Sequence, residues 1–269
     1  MKSYIPVRIK LRAVILSTLA LLIVPDLSIA QHQGKTLLAI FAHPDDEMTI
    51  APILVKYGNE GAKVHLVICT DGRYGTNDFS GLEAGEGLVA IRQEELRCSA
   101  SKLGVELTHL DYHDQLKASG GYDGHVPHVQ ALIKEVYELV ERIQPDVIIT
   151  FGPDGASNHM DHRLVGATVT QVYTSKVWDK PSTLYYYGRP SESIEDPESK
   201  ILRGQNMKYL TTRILYTEKE LDAVAAAAAC HKSQISPDRI KNVKERYRKD
   251  MTVYLRKFEA PAEQKTSVF

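Results

Sequence analysis

His43, Asp45, Asp46 and Glu47 fall within a stretch of five residues, and His159, Asp161 and His162 within four. Each cluster follows a short apolar run, 37–41 and 147–151. Neutral imidazoles with a carboxylate are the donor set of a hydrolytic metal site, which also needs an open position for water and a nearby base. His43 and Asp46, three apart where a strand would turn into a helix, can point at one ion, and Asp45 between them can reach the water bound there. His162 supplies a third ligand from the second cluster. His159, on the same turn, faces the site without needing to bind metal, and Asp161 is placed to accept a ring N–H and fix a tautomer. Each cluster alone also has a plain structural reading. The acidic residues suit the first turn of a helix, and Asp161 suits an N-cap. Two such clusters at two strand ends favour chemistry, because open α/β sheets bind ligands beyond the carboxyl ends of their strands.

The elements that would position these residues are legible as alternation. Apolar runs at 36–42, 63–70, 106–112, 145–151 and 183–187 predict buried parallel strands. Between them lie segments with helical spacing. In 88–103, Leu88, Ile91, Leu96 and Leu103 mark one face and Gly104 ends it. In 125–143, Val129, Leu132, Ile133, Val136, Leu139, Val140 and Ile143 recur at threes and fours. Residues 161–175 form a further helix after the second cluster. Strand–helix alternation gives an α/β fold, a mostly parallel sheet with helices on both faces. After 187 the pattern loosens. Residues 188–212 read as a long loop, 225–229 lie in a helix, 237–247 form a basic helix, and the end is a polar tail.

Residues 1–30 resemble a secretory signal peptide. Lys2, Arg8, Lys10 and Arg12 precede the apolar stretch Ala13 to Val24, and Ser28-Ile29-Ala30 offers small residues for cleavage before Gln31. That stretch is well short of the roughly 20 residues that span a bilayer. The expectation is an exported protein, periplasmic or extracellular, with residues 31–269 as one domain and no stable membrane insertion after cleavage. Removing 1–30 takes Lys+Arg from 33 to 29 and Asp+Glu from 34 to 33, a formal charge of −4. This balance offers nothing for nucleic acid to bind. Three cysteines, Cys69, Cys98 and Cys230, permit one disulfide but do not choose it. The sequence fixes no oligomeric state.

Ala-His-Pro-Asp-Asp-Glu at 42–47, Gly-Pro-Asp-Gly at 152–155 and His-x-Asp-His at 159–162 together resemble the PIG-L/LmbE-type deacetylases. That family includes N-acetylglucosaminyl-phosphatidylinositol de-N-acetylases and the deacetylases of mycothiol and bacillithiol synthesis. The resemblance extends over most of 35–235 and takes in Ile91 to Leu96, Leu103-Gly104-Val105, Leu110-Asp111-Tyr112 and His231 to Gln234. It implies a Rossmann-like sheet and a metal-dependent hydrolase that removes an N-acyl group, acetyl first, from an amino sugar or glycoconjugate. It further implies His43, Asp46 and His162 as ligands to Zn2+, with Fe2+ or another divalent metal as substitutes. Asp45 becomes the general base, His159 the imidazolium that stabilises the oxyanion and protonates the amine, and Asp161 the residue that orients His159. Met160 stands where the family often has Pro.

Weaker candidates each have two readings. Arg92 matches a family position that holds substrate hydroxyls, or is a surface charge on a helix with Glu94 and Glu95. Asp114 follows the third strand and either contacts sugar hydroxyls or makes a turn. His231 either lines the pocket or caps a helix end. Two other functions compete. A non-haem iron oxygenase also uses two His and one carboxylate, though its triads sit on all-β barrels. A glycan- or metal-binding protein that has lost catalysis would not need the base and second His that this chain keeps. Substrate specificity is expected in loops 71–87, 113–128 and 188–212.

Overall fold

The structure is a computed structural model that describes Met1, residues 31–260 and residues 262–268. Apart from Met1, the expected leader lies outside the described residues. No helix among the described residues is long and apolar enough to cross a membrane.

Seven strands form one sheet: β1 (Thr36–Phe41), β2 (Lys63–Thr70), β3 (Glu106–Tyr112), β4 (Val147–Phe151), β5 (Thr183–Gly188), β6 (Thr212–Leu215) and β7 (Thr252–Lys257). Their spatial order is β3-β2-β1-β4-β5-β7-β6. The first five are mutually parallel, as the apolar runs predicted. β1 sits inside the sheet and is buried along nearly its whole length, which is why its sequence is continuously apolar rather than alternating.

Helices α1 (Ala51–Asn59), α2 (Glu86–Leu103), α3 (Gly121–Ile143), α4 (Met160–Thr174), α5 (Pro197–Arg203), α6 (Glu218–Ala228), α7 (Pro237–Lys241) and α8 (Val243–Arg248) complete the chain. α1 and α2 pack against α6, and α3 packs against α4, so the sheet lies between two helical layers. This is the mostly parallel, Rossmann-like α/β fold expected. The chain runs outward from β1 to β2 to β3, then returns to place β4 on the other side of β1. β1 and β4 therefore flank the point where strand order reverses, and the crevice beyond their carboxyl ends is where such a sheet binds ligands.

Three expectations for the C-terminal part need correction, and the disulfide that the sequence left open is defined. The polar tail contains β7, and the 188–212 loop holds α5 and runs into the start of β6; both strands pair antiparallel at the sheet's edge. They alternate Ile214, Val253 and Leu255 with Arg and Tyr because only one side of an edge ribbon is covered. The basic helix 237–247 is broken into α7 and α8 at Asn242, whose backbone leaves the helical region. Cys98 on α2 and Cys230 after α6 form the disulfide, leaving Cys69 as a buried free thiol.

Candidate functional site

β1 ends at Phe41 and β4 at Phe151, and the two rings meet edge to face at 4.8 Å. Phe151 stacks flat on His162 at 4.1 Å. The ends of the two central strands thus give an apolar floor that fixes the ring of His162 from below. Gly155 fixes it from the side. Its φ of +64° suits glycine, and a Cβ there would meet the Cβ of His162 at 2.9 Å. The close approach brings the Gly155 carbonyl to 2.9 Å from His162 Nδ1. Nδ1 therefore carries the ring proton and donates to that carbonyl, which leaves Nε2 as the lone-pair nitrogen.

His43 is oriented in the same manner by the other motif. Its Nε2 lies 3.1 Å from Asp161 Oδ2, a carboxylate wholly out of solvent. Asp46 is anchored by the backbone, with Oδ2 accepting from the amides of His43 at 2.7 Å and Ala42 at 3.2 Å. The remaining donor atoms converge. His43 Nδ1 and His162 Nε2 are 3.2 Å apart, and Asp46 oxygens lie 3.4 Å from the first and 3.1 Å from the second.

Four-coordinate zinc bound at about 2.0–2.1 Å would hold two such ligands roughly 3.3 Å apart. The three separations are close to that edge, with Asp46 presenting Oδ2 to His43 and Oδ1 to His162. Charge agrees with geometry. Against desolvation, Asp161, Asp46 and Asp114 hold the proton on His43 up to about pH 10. Desolvation likewise opposes but does not prevent His162 being raised by Asp46, and Asp46 being drawn well below the usual carboxylate range by His162 and His43. The cluster is built to hold positive charge, and the donor set fits a divalent metal. Two wider groups also centre on His43, one with His159 and His162 and one with Asp114 and Asp161, their donor atoms within 4.8 Å. The His43–Asp46–His162 set is the tighter.

Around this cluster lies a cavity of about 340 Å3 that brings together seven further residues of interest. Asp45, Arg92, Asp114, His159 and Asp161 line it, as do Tyr74 and Gln234. Asp45 adopts φ +119°, a strained backbone for a residue with a side chain. Its carboxylate is 3.1 Å from Arg92 Nη2. Desolvation pushes its pKa up, Arg92 pulls it down, Asp46 adds to the rise, and the balance is upward. The direction suits a group that must accept a proton.

The weaker candidates resolve unevenly. Arg92 is no surface charge. It is buried and bonds the carbonyls of Gly72 and Pro44 as well as Asp45. Asp114 uses both oxygens on the amides of Gly72 and Tyr74, and so makes the turn that shapes the cavity wall. His231 corrects the expectation of a substrate contact. It is fully buried behind the cavity and pairs with Glu47 at 2.6 Å. Asp161 sits nearer His43 than His159, at 3.1 Å against 4.0 Å. His159 is half exposed, its ring 4.6 Å from that of His43. Its Nδ1 accepts from the Asp161 amide at 3.2 Å, so the ring proton sits on Nε2. Burial lowers its pKa, and the charges of His43 and His162 lower it further. Asp161 and Asp46 oppose both effects. Met160 between them is exposed.

The structure also reveals Glu47, Ser99 and Gln234, which sequence reading did not single out as site residues. Glu47 belongs to the first motif, but its burial could be known only once α2 and the segment after α6 were placed around it.

A strand-reversal crevice holding this donor cluster and a carboxylate beside it defines an α/β protein with the makings of a metal-assisted hydrolytic centre. The family model for GlcNAc-PI de-N-acetylase, PIG-L, matches residues 38–173, half of the chain, and the protein belongs to that family. The 1D-myo-inositol 2-acetamido-2-deoxy-alpha-D-glucopyranoside deacetylase of Mycobacterium sp. (strain JLS) is 29% identical over 230 residues, 74% of each chain. Among solved structures, the N,N'-diacetylchitobiose deacetylase of Pyrococcus horikoshii aligns with TM-score 0.57 and 21% identity over 83% of this chain and 84% of that one. The 4-carboxy-2-hydroxymuconate hydratase GalB of Pseudomonas putida aligns with TM-score 0.61 and 15% identity over 87% and 100%. The fold alone therefore carries more than one reaction. Nothing in the fold, the family or these relatives supports the oxygenase alternative.

Proposed function

We propose that the protein is a metal-dependent hydrolase that removes an N-acyl group, acetyl first, from an amino sugar or glycoconjugate. The observation that carries this reading is the Asp45 carboxylate, held 3.1 Å from Arg92, beside the converging donors of His43, Asp46 and His162 in one cavity. The relatives' names supply the amide of an N-acetylglucosamine unit as the bond to break. Zn2+ is the proposed ion, with Fe2+ as the substitute, held by His43, Asp46 and His162. When bound, it would polarise the amide carbonyl and acidify a water.

The chain's own residues do the rest. Asp45 takes a proton from the attacking water. His159, which carries a ring proton on Nε2, donates a hydrogen bond to the oxygen on which charge develops. Asp45 then returns its proton to the departing nitrogen, giving carboxylate and free amine. Arg92 and Glu47 hold Asp45 in place, and Asp161 holds His43. With residues 1–30 read as a leader, the substrate would be met outside the cytoplasm.

The test is amine release from a panel of N-acetylated sugars by residues 31–269, stripped of metal and reloaded anaerobically with zinc or ferrous iron. Metal-dependent release of amine and acetate without dioxygen is expected. Failure of the protein to bind either ion would overturn the reading.

A further inference from the structure

The catalytic cavity meets a second one, of about 460 Å3, at Asp45, Asp46 and Gln234. Three arginines line this second space, and they come from three separate elements: Arg189 just past β5, Arg239 on α7 and Arg246 on α8. None of the three side chains has an ion pair or hydrogen bond among the described residues. Their neighbours differ. Lys244 pairs with Asp222, and Arg248 pairs with Glu218 through two bonds of 2.7 and 2.8 Å. On α8, Lys244 and Arg248 are thus neutralised, whereas Arg246, which lines the cavity, is not.

The carboxylates that line the same space among the described residues are Asp45 and Asp46, already committed to Arg92 and to the two histidines. Partial desolvation first, then the charges of Arg239 and Arg189, disfavour the protonated form of the otherwise exposed Arg246, while Tyr247 favours it. A single exposed arginine is merely hydrated. Three brought into one concavity without a counter-charge repel one another unless an anion joins them. Planar guanidinium forks match the oxygens of phosphate and carboxylate alike.

We propose that this second cavity binds an oxyanion substituent, a phosphate ester or a carboxylate, carried by the amino sugar whose acyl group enters the metal-side cavity. The inference rests on the deacylase reading above and narrows it to anionic amino sugars.

The test compares binding of N-acetylglucosamine 6-phosphate, N-acetylmuramic acid and neutral N-acetylglucosamine by calorimetry. The proteins are wild type and the double variant Arg239→Gln/Arg246→Gln. Both positions are exposed and unbonded, so the variant should fold. Metal-free protein is titrated as well, so that an anion held by the ion alone is not counted. The wild type should bind at least one anionic sugar about tenfold or more tightly than the neutral one. That preference should fall about tenfold in the variant and weaken as salt rises. The better anionic sugar identifies phosphate or carboxylate as the group recognised. Equal binding of charged and neutral sugars, or a preference that survives in the variant, would overturn the proposal. Amine release from neutral sugars without an anion preference would sink this inference and leave the deacylase reading standing. Arginine-dependent binding without amine release from any of them would do the reverse.

Discussion

Glu47 and His231, separated by 184 residues in sequence, form an ion pair of 2.6 Å between side chains that water does not reach. The same Glu47 oxygen accepts from Ser99 Oγ at 2.6 Å, and its other oxygen accepts from the backbone amide of Asp45 at 3.0 Å. That amide belongs to the residue with φ +119°. Strain of this kind costs about 1–3 kcal/mol and persists only where surroundings over-determine it. The buried pair supplies that determination, and so holds the proposed base in place from behind the cavity.

Replacing His231 with Ala would leave Glu47 buried without its counter-charge. A loss of about 3–5 kcal/mol in stability is expected. Glu47→Gln is milder, because an amide oxygen can still accept from the Asp45 amide. In that variant kcat should fall about tenfold with KM nearly unchanged, since substrate contacts are untouched. Urea unfolding and steady-state kinetics on the same preparations check both. A larger effect on KM than on kcat would remove the positioning role.

Asp45→Asn should retain stoichiometric metal, because the side chain is not in the tight donor set, and should lose about two orders of magnitude or more in kcat. His43→Ala should lose both metal and turnover. Metal analysis beside kinetics separates the two. Near wild-type turnover in Asp45→Asn would remove it as the base.

Much of this site is visible in sequence for a physical reason. Parallel strands are buried on both faces, so 37–41 and 147–151 are unbroken apolar runs, and the polar residues that follow them stand out. The edge ribbon of β6 and β7 lacks that signal. The stretch after β3 is harder still. Gln115, Leu116 and Lys117 all take positive φ, and Leu116 is fully buried. Nothing in their types foretells this, because tertiary contacts impose it. His231 illustrates the same limit. Its type and helix-end position suggested a ligand contact, whereas its role is set by a carboxylate 184 residues away.

Gly75 tests the placement of Arg92. A Cβ at this position would lie 2.1 Å from Arg92 Nη1. Gly75→Ala must therefore push the guanidinium off Asp45 and the Pro44 carbonyl. A drop of about tenfold or more in kcat/KM with metal content unchanged is expected. Arg92→Lys should act similarly, because a single ammonium cannot reproduce a fork that bridges three acceptors. Full activity in Gly75→Ala would show that Arg92 need not sit where it does.

The Cys98–Cys230 disulfide closes a separation of 132 residues and lies one residue from both Ser99 and His231, the two partners of Glu47. Cys98→Ser/Cys230→Ser should lose about 2–4 kcal/mol of stability. If the clamp also steadies Asp45, kcat should fall while metal content holds. Denaturant midpoints with and without reductant, compared with the double variant, check the first part. Unchanged kcat in a folded variant would confine the disulfide to stability.

Asp146, at the opposite end of the sheet from the site, offers a pH test free of the metal centre. Its carboxylate accepts from the Thr36 amide at 2.8 Å and pairs with Lys180 at 2.7 Å and Lys35 at 3.1 Å. Desolvation opposes the charged form, but Lys180, Thr36 and Lys35 outweigh it and hold the pKa down to about 2. An unfolded aspartate titrates near 3.9. A folded pKa below the unfolded one stabilises above about pH 4, and that contribution is lost as pH falls through the folded value. Asp146→Asn should therefore be less stable than wild type by about 1–2 kcal/mol at neutral pH. The gap should close as pH falls from about 4 toward 2. Urea unfolding of both proteins across that range measures it. A gap that stays constant with pH would mean that Asp146 acts through shape or hydrogen bonding alone, not through its charge.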